Sequence, residues 1–187
     1  MKTLLCASAL TLAAFAASAQ AADYSVDPAH SSVSFTIGHL GTSVTLGQFR
    51  KFSGDYSLDE TNPAASSVKL TIDSASVDTN YEPRDKHLSS PDFLDVKQFP
   101  EITFTSTAYE GTADAGKLTG DMTLHGVTKP VSFDVKKIGE GKDPWGGYRS
   151  GFVATTTIKR SEFGITNFIP GVTDETDLTV RIEGVRK

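Results

Sequence analysis

Cysteine and tryptophan are nearly missing: Cys6 and Trp145 are the single examples in 187 residues. Beyond Cys6 no thiol remains, which excludes a disulfide framework and a cysteine-based metal or redox site from the rest of the chain. Lys and Arg nowhere cluster and the net charge is −5, so nucleic acid is a poor partner. After residue 21 no apolar run approaches the roughly 20 residues a membrane-spanning helix needs, so no membrane span is expected. The four histidines, His30, His39, His87 and His125, lack H-x-H or H-x-x-x-H spacing, and a metal site would have to be assembled by folding. The G-x-S-x-G, Walker and G-x-G-x-x-G signatures are absent as well, leaving no short motif for catalysis or for a cofactor.

What the chain does have begins with an export pattern. Lys2 precedes an apolar stretch over 4–17, and Ala19-Gln20-Ala21 supplies a small-residue cleavage site. Residues 1–21 are therefore expected to be a signal peptide, cut before Ala22, with 22–187 as one mature domain in a bacterial periplasmic or secreted setting. Cys6 lies near the start of the apolar stretch, whereas a lipoprotein cysteine closes it, so Cys6 is expected to leave with the signal. A domain of this length buries about 70% of its unfolded surface, enough for a core without cross-links.

Apolar residues then alternate with polar ones at the period of two that a half-buried strand requires. Val33, Phe35, Ile37 and His39 share one phase of a first strand. A long second strand is expected over 48–59, with Phe52, Tyr56 and Leu58 in phase, and a third over 68–73. Residues 101–109 make the fourth, with Phe104 inward. Leu118, Met122 and Leu124 mark the fifth, and Val131, Phe133 and Val135 the sixth. The seventh runs over 148–159 with Phe152, Ala154 and Ile158 in phase, and Leu178, Val180 and Ile182 form the eighth. Eight strands with one apolar face and mostly short links suit an all-β, antiparallel sheet that closes into a barrel, because closure removes exposed edges. A two-sheet sandwich is the alternative. The even count favours the barrel, as do the second and seventh strands, roughly 40 Å long at 3.3 Å per residue. A barrel of this size either fills its interior with side chains or holds a ligand.

One stretch, 76–104, breaks the alternation. Pro83 fits the first turn of a short helix that places Arg84, His87 and Leu88 on one face. Ser90, Pro91 and Asp92 read as the start of a second short helix carrying Phe93, Leu94 and Val96 and ending before Pro100. Short helices are thus expected between the third and fourth strands, covering one end of the barrel. Arg84, Asp85 and His87 either fix this cover locally or meet a ligand, with catalysis the outsider. His39, on an apolar face, is read first as a histidine satisfied by backbone and second as a ligand contact.

The runs T-N-Y-E-P-R-D-K-H-L-S-S-P-D-F-L-D-V-K-Q-F-P-E-I-T-F-T-S-T, L-T-G-D-M-T-L-H-G-V-T-K-P-V and G-E-G-K-D-P-W-G-G-Y-R-S-G-F occur in that order, followed by R-S-E-F-G-I. With the earlier D-Y-S-V-D-P-A-H-S-S-V-S-F and the H-L-G at 39–41, they resemble the YceI family of bacterial periplasmic proteins over the whole mature chain. Departures are confined to Tyr81-Glu82-Pro83 and to 166–173. The resemblance implies an extended, lipocalin-like barrel that binds a long-tailed amphiphile, a polyisoprenoid or a fatty-acid-type lipid, as carrier or store. An isoprenoid quinone or its precursor is one such ligand. An enzyme acting on such a lipid and a stress-related interaction protein with a packed barrel are the other functional classes, and a dimer is left open. The expected tail contacts are Phe35, Phe52, Phe104, Phe152 and Val180, with Phe93, Leu88 and Leu94 at the rim. Arg84, His87 and His39 complete the expected ligand-binding set, the first two beside the polar head.

Overall fold

Residues 21–187 are described by a computed structural model, in which almost every alternating stretch becomes a strand. In chain order these are β1 (Ala22–Val26), β2 (Ser32–His39), β3 (Ser43–Phe49), β4 (Phe52–Leu58), β5 (Ser67–Asp73), β6 (Val77–Asp78), β7 (Glu101–Gly111), β8 (Ala115–Leu124), β9 (Val127–Lys142), β10 (Tyr148–Lys159) and β11 (Val172–Arg186). The helix α1 (Glu82–Leu88) lies between β6 and β7. The export segment expected over 1–21, Cys6 included, falls up to residue 20 outside the described residues.

The pairings close a ring. From β4 the order runs β5, β7, β8, β9, β10 and β11, and β1 joins β11 back to β4, every pair antiparallel. The first half of β11 pairs instead with β2, which pairs with β3, which pairs with β6. β2 therefore continues the wall of β1, β3 that of β4, and β6 that of β5. Counted as walls, the barrel has eight, a closed antiparallel lipocalin-like barrel.

Three of the eight walls are thus bent pairs, and one of the expected strands is split by such a bend. The long second strand over 48–59 is split at Arg50 and Lys51, and its wall begins earlier, at Ser43. The bends are tied together: Arg50 N–H donates to Ser76 O at 3.0 Å, and Asp73 N–H donates to Lys51 O at 2.9 Å. β1 was not expected at all, because Ala22–Val26 is too short to show alternation. The expected pair of helices is corrected to one. Residues 91–98 form successive turns, since Asp95 takes a φ of +42° only four residues after Pro91, too few to nucleate a helix. Their bonds run Leu94 N–H to Leu88 O and Asp95 N–H to Ser90 O, both 2.9 Å, which folds the turns back on α1.

Inward residues build two clusters. The larger joins Val33, Leu70, Ile72, Ile102, Phe104, Met122, Leu124, Phe133, Ile158, Phe163 and Ile165, with Phe104 edge-on to Phe133 at 5.2 Å. The smaller, Tyr24, Val26 and Tyr56, gathers where β1 pairs with β4. Tyr24 stacks on Tyr56 at 4.9 Å, and the Tyr56 hydroxyl donates to Ser150 O at 2.7 Å. Burial pushes the Tyr56 hydroxyl above the ordinary tyrosine pKa and keeps it a neutral donor. A side chain at position 184 would meet the Tyr56 ring, so Gly184 is the residue that admits it.

Candidate functional site

The barrel is hollow, and most of the larger cluster forms its inner wall. A cavity of about 650 Å³ runs through it, in the range of small-molecule sites, so the interior is not filled by side chains. Val172 and Ile182 of β11 both line it, which at about 3.3 Å per residue spans roughly 30 Å. The middle is apolar: Phe35, Leu70, Phe104, Leu118, Phe133 and Leu178 face inward from successive walls. Phe35 reaches inward because Gly47 opposite it on β3 has no side chain, and a Cβ there would fall inside the Phe35 ring.

The end under α1 is built from aromatic and apolar groups. Arg84, His87 and Leu88 line it from the helix, with Phe93 and Leu94 from the turns and His39 and Leu40 from the end of β2. His87 lies edge-on to Phe93 at 5.1 Å and to Phe168 at 6.0 Å, and its Nε2 is 3.0 Å from Asp92. Arg84 is tied back to its own segment, donating to Thr79 Oγ1 at 2.6 Å and Thr79 O at 2.7 Å. Arg160, almost fully buried, organises the 164–171 loop on the other side of this end. It donates to the carbonyls of Thr173, Ile165, Asn167 and Val172, and Asn167 in turn donates to Asp92 O at 2.6 Å. Leu40 and Phe168 are largely exposed there, giving this end an apolar lip. Thr176 Oγ1 is the buried side-chain atom in the lining with no protein partner among the described residues.

Of the nine expected contacts, Phe35, His39, Arg84, His87, Phe93, Phe104, Phe152 and Val180 surround the cavity. Phe52 does not. It lies in the inward phase but is spent on packing between the two clusters, because the bend beside Arg50 and Lys51 sets it against the core. His39 is exposed at the mouth, not satisfied within the sheet as its first reading had it.

The far end differs in chemistry. Asp59, Glu60, Thr112 and Lys137 line it, from the β4–β5 loop, the β7–β8 turn and β9. Sequence reasoning passes over Lys137 because the sixth strand, closed at Gly139 and Gly141, is read only by its apolar members Val131, Phe133 and Val135. Continuing the same phase from Val131 through Phe133 and Val135 would have placed a lysine inside the barrel. Elsewhere, Asp27, His30 and Glu183 converge within metal-ligand distance, but Arg149 occupies the gap, its Nη1 2.7 Å from Asp27 and 2.6 Å from Glu183.

A closed antiparallel barrel around a long apolar cavity defines a class of small β-barrel proteins with an internal ligand site. The YceI-like domain model matches residues 24–184, and the chain belongs to this family. Protein YceI of Escherichia coli O157:H7 is 47% identical over 188 residues, covering 100% of this chain and 98% of that protein. BcnA of Burkholderia cenocepacia superposes with a TM-score of 0.77 at 28% identity, over 84% of this chain and 98% of BcnA. A polyisoprenoid binding domain from Saccharophagus degradans shares the fold, with a TM-score of 0.64 at 15% identity over 88% of this chain and 98% of that domain.

Proposed function

We propose that this protein is an exported, periplasmic binding protein whose barrel carries or stores one long-tailed lipid, a polyisoprenoid or a fatty-acid-type amphiphile, without chemically changing it. The observation that carries this reading is the roughly 30 Å, largely apolar cavity inside the barrel. Such a space left empty forfeits dispersion contacts along its whole wall, and an apolar chain restores them. The polyisoprenoid-binding description of the Saccharophagus degradans domain supports the lipid class, and the leader pattern before Ala22 supports export. At about 0.3 kcal/mol per heavy atom, a tail of roughly 30 carbons supplies about −9 kcal/mol, a submicromolar affinity from apolar contact alone.

The test is mass spectrometry of organic extracts from protein purified out of its native compartment, with the native mass of the intact protein alongside. One lipid per chain is the expected result. A lipid returned altered after incubation would make the protein an enzyme, and a barrel with no lipid would sink the reading. The native mass also reads whether two copies associate, and an intact protein beginning before Ala22 would overturn the export step.

A further inference from the structure

The two ends of the cavity are chemically unlike, and that difference bears on the ligand's head. At the α1 end three of the ionisable groups are already engaged, and His39 stands exposed at the mouth. Arg84 donates to Thr79, Arg160 to four carbonyls, and His87 lies against Asp92.

At the other end stands Lys137. A bulge in β9 puts it there: Lys137 pairs with Phe152 and Gly139 with Gly151, so Ile138 is the extra residue and turns outward to solvent. The bulge brings Lys137 and Glu140 to the same side although they are three apart, a re-aiming that strand bulges commonly perform beside sites. The Lys137 side chain is 11% exposed, with Nζ 2.8 Å from Glu140 and 3.0 Å from Glu60. Burial works against the ammonium, but the two carboxylates outweigh it and hold its pKa above the ordinary lysine value. Glu140 is held below the usual carboxylate range, chiefly by its bond to Lys137.

An ammonium has three N–H donors, and these two carboxylates use two of them. Lys137 and Glu60 both line the cavity, so one ammonium donor remains for a ligand and Glu60 retains acceptor capacity beside it, while Glu140 holds Lys137 from outside the lining. The local charge is nevertheless negative, since two carboxylates face one ammonium and Asp59 lies near. A phosphate or carboxylate head would add charge of the same sign in a partly enclosed place. A head that is neutral and both accepts and donates one hydrogen bond meets no such penalty.

Resting on the lipid reading, we propose that the Lys137–Glu60–Glu140 end is the head-group site, and that it selects a neutral hydroxyl-type head, an alcohol or phenol, over an anionic one. The tail then lies along the barrel towards α1, with its end under the apolar lip of Leu40 and Phe168. A plainer role for Lys137 is to latch the 59–66 loop to β9 through Glu60, and the experiment separates the two.

Geranylgeraniol, geranylgeranyl monophosphate and a hydrocarbon of equal length are titrated into lipid-stripped protein, with displacement of a fluorescent apolar probe as readout. The wild type should prefer the alcohol to the phosphate by at least about tenfold, as expected for like charges brought together. Glu60→Gln, at a largely exposed position, should narrow that gap, and Glu60→Gln with Glu140→Gln should reverse it, because the ammonium is then uncompensated. Hydrocarbon affinity should stay level throughout. Equal preference for alcohol and phosphate in the wild type would overturn the proposal, as would variants that shift all three ligands alike, which is the signature of a latch. Failure of all three ligands, hydrocarbon included, to bind the wild type would remove the lipid reading and this inference with it.

Discussion

Asp27 shows how a single side chain sets a condition on the whole barrel. Its Oδ2 lies 2.7 Å from Arg149 and 2.9 Å from His30, and its Oδ1 accepts from Ala29 N–H. The bond to Arg149 and then that to His30 lower its pKa from 3.8 to about 2. A carboxyl held down in the fold contributes stability that is fully present above its unfolded pKa and is lost as pH falls through the folded one. The pKa difference caps the contribution near ~2.5 kcal/mol; solvent screening at this surface reduces the expected part to about 1 kcal/mol. Asp27→Asn should therefore cost about that much at pH 7 and flatten the loss of stability between pH 4 and 2 measured by urea unfolding. An unchanged acid limb would place the sensitivity elsewhere. Phe152 sets a different condition, on occupancy. It lines the cavity and lies edge-on to Tyr56 at 5.9 Å. Phe152→Asp should leave a folded barrel that retains no lipid, because a carboxylate in the wall must keep water the tail would displace. Lipid retained at the wild-type level by a folded variant would show that the tail lies elsewhere.

At the scale of elements, α1 and the turns after it form a cover fastened from several sides. Phe99 packs edge-on to His125 at 4.7 Å, Asn167 reaches Asp92 O, and Phe168 stacks on Phe93 at 6.0 Å. Arg84 is engaged by Thr79 and His87 by Asp92, Phe93 and Phe168, so replacing both with Ala should weaken binding of a prenyl alcohol and of an equal-length hydrocarbon to the same degree. A loss confined to the alcohol would move the head group to this end. Which strands exist was legible in the alternation because each wall has one wet and one apolar face, and Phe35, His39, Phe104, Phe152 and Val180 fall around the cavity for the same reason, whereas Arg84, His87 and Phe93 reach it from α1 and its turns, where the alternation breaks. The breaks were not legible. The bends at 27–31, 50–51 and 74–76 depend on bonds between distant segments, such as Arg50 N–H to Ser76 O. Phe52 was misplaced by one such bend. Lys137 lay in a readable phase of the sixth strand, but a lysine following three apolar residues does not read as an inward group until its carboxylate partners, brought alongside by the bulge and the β4–β5 loop, are seen.

For the molecule as a whole, closure replaces cross-linking. The ring from β1 through β11 leaves the cysteine-free barrel held by strand pairing and by its two clusters. The cavity those residues line also ties folding to supply, since anything that binds the folded barrel and not the unfolded chain adds to stability by mass action. A lipid at a hundred times its dissociation constant adds about 2.7 kcal/mol, which for a domain of this size raises the melting temperature by about 5–11 °C. Stripping the lipid with organic solvent and refolding should lower the melting temperature by that amount, and adding lipid back should restore it. Equal melting temperatures would mean that the cavity stays empty in use. The hollow thus makes the barrel a gauge of its surroundings. On the proposed lipid reading, protein taken from a lipid-starved cell should melt early, expose its strands sooner and be cleared faster by proteases, so that the amount of protein that persists would follow the amount of lipid there is to hold.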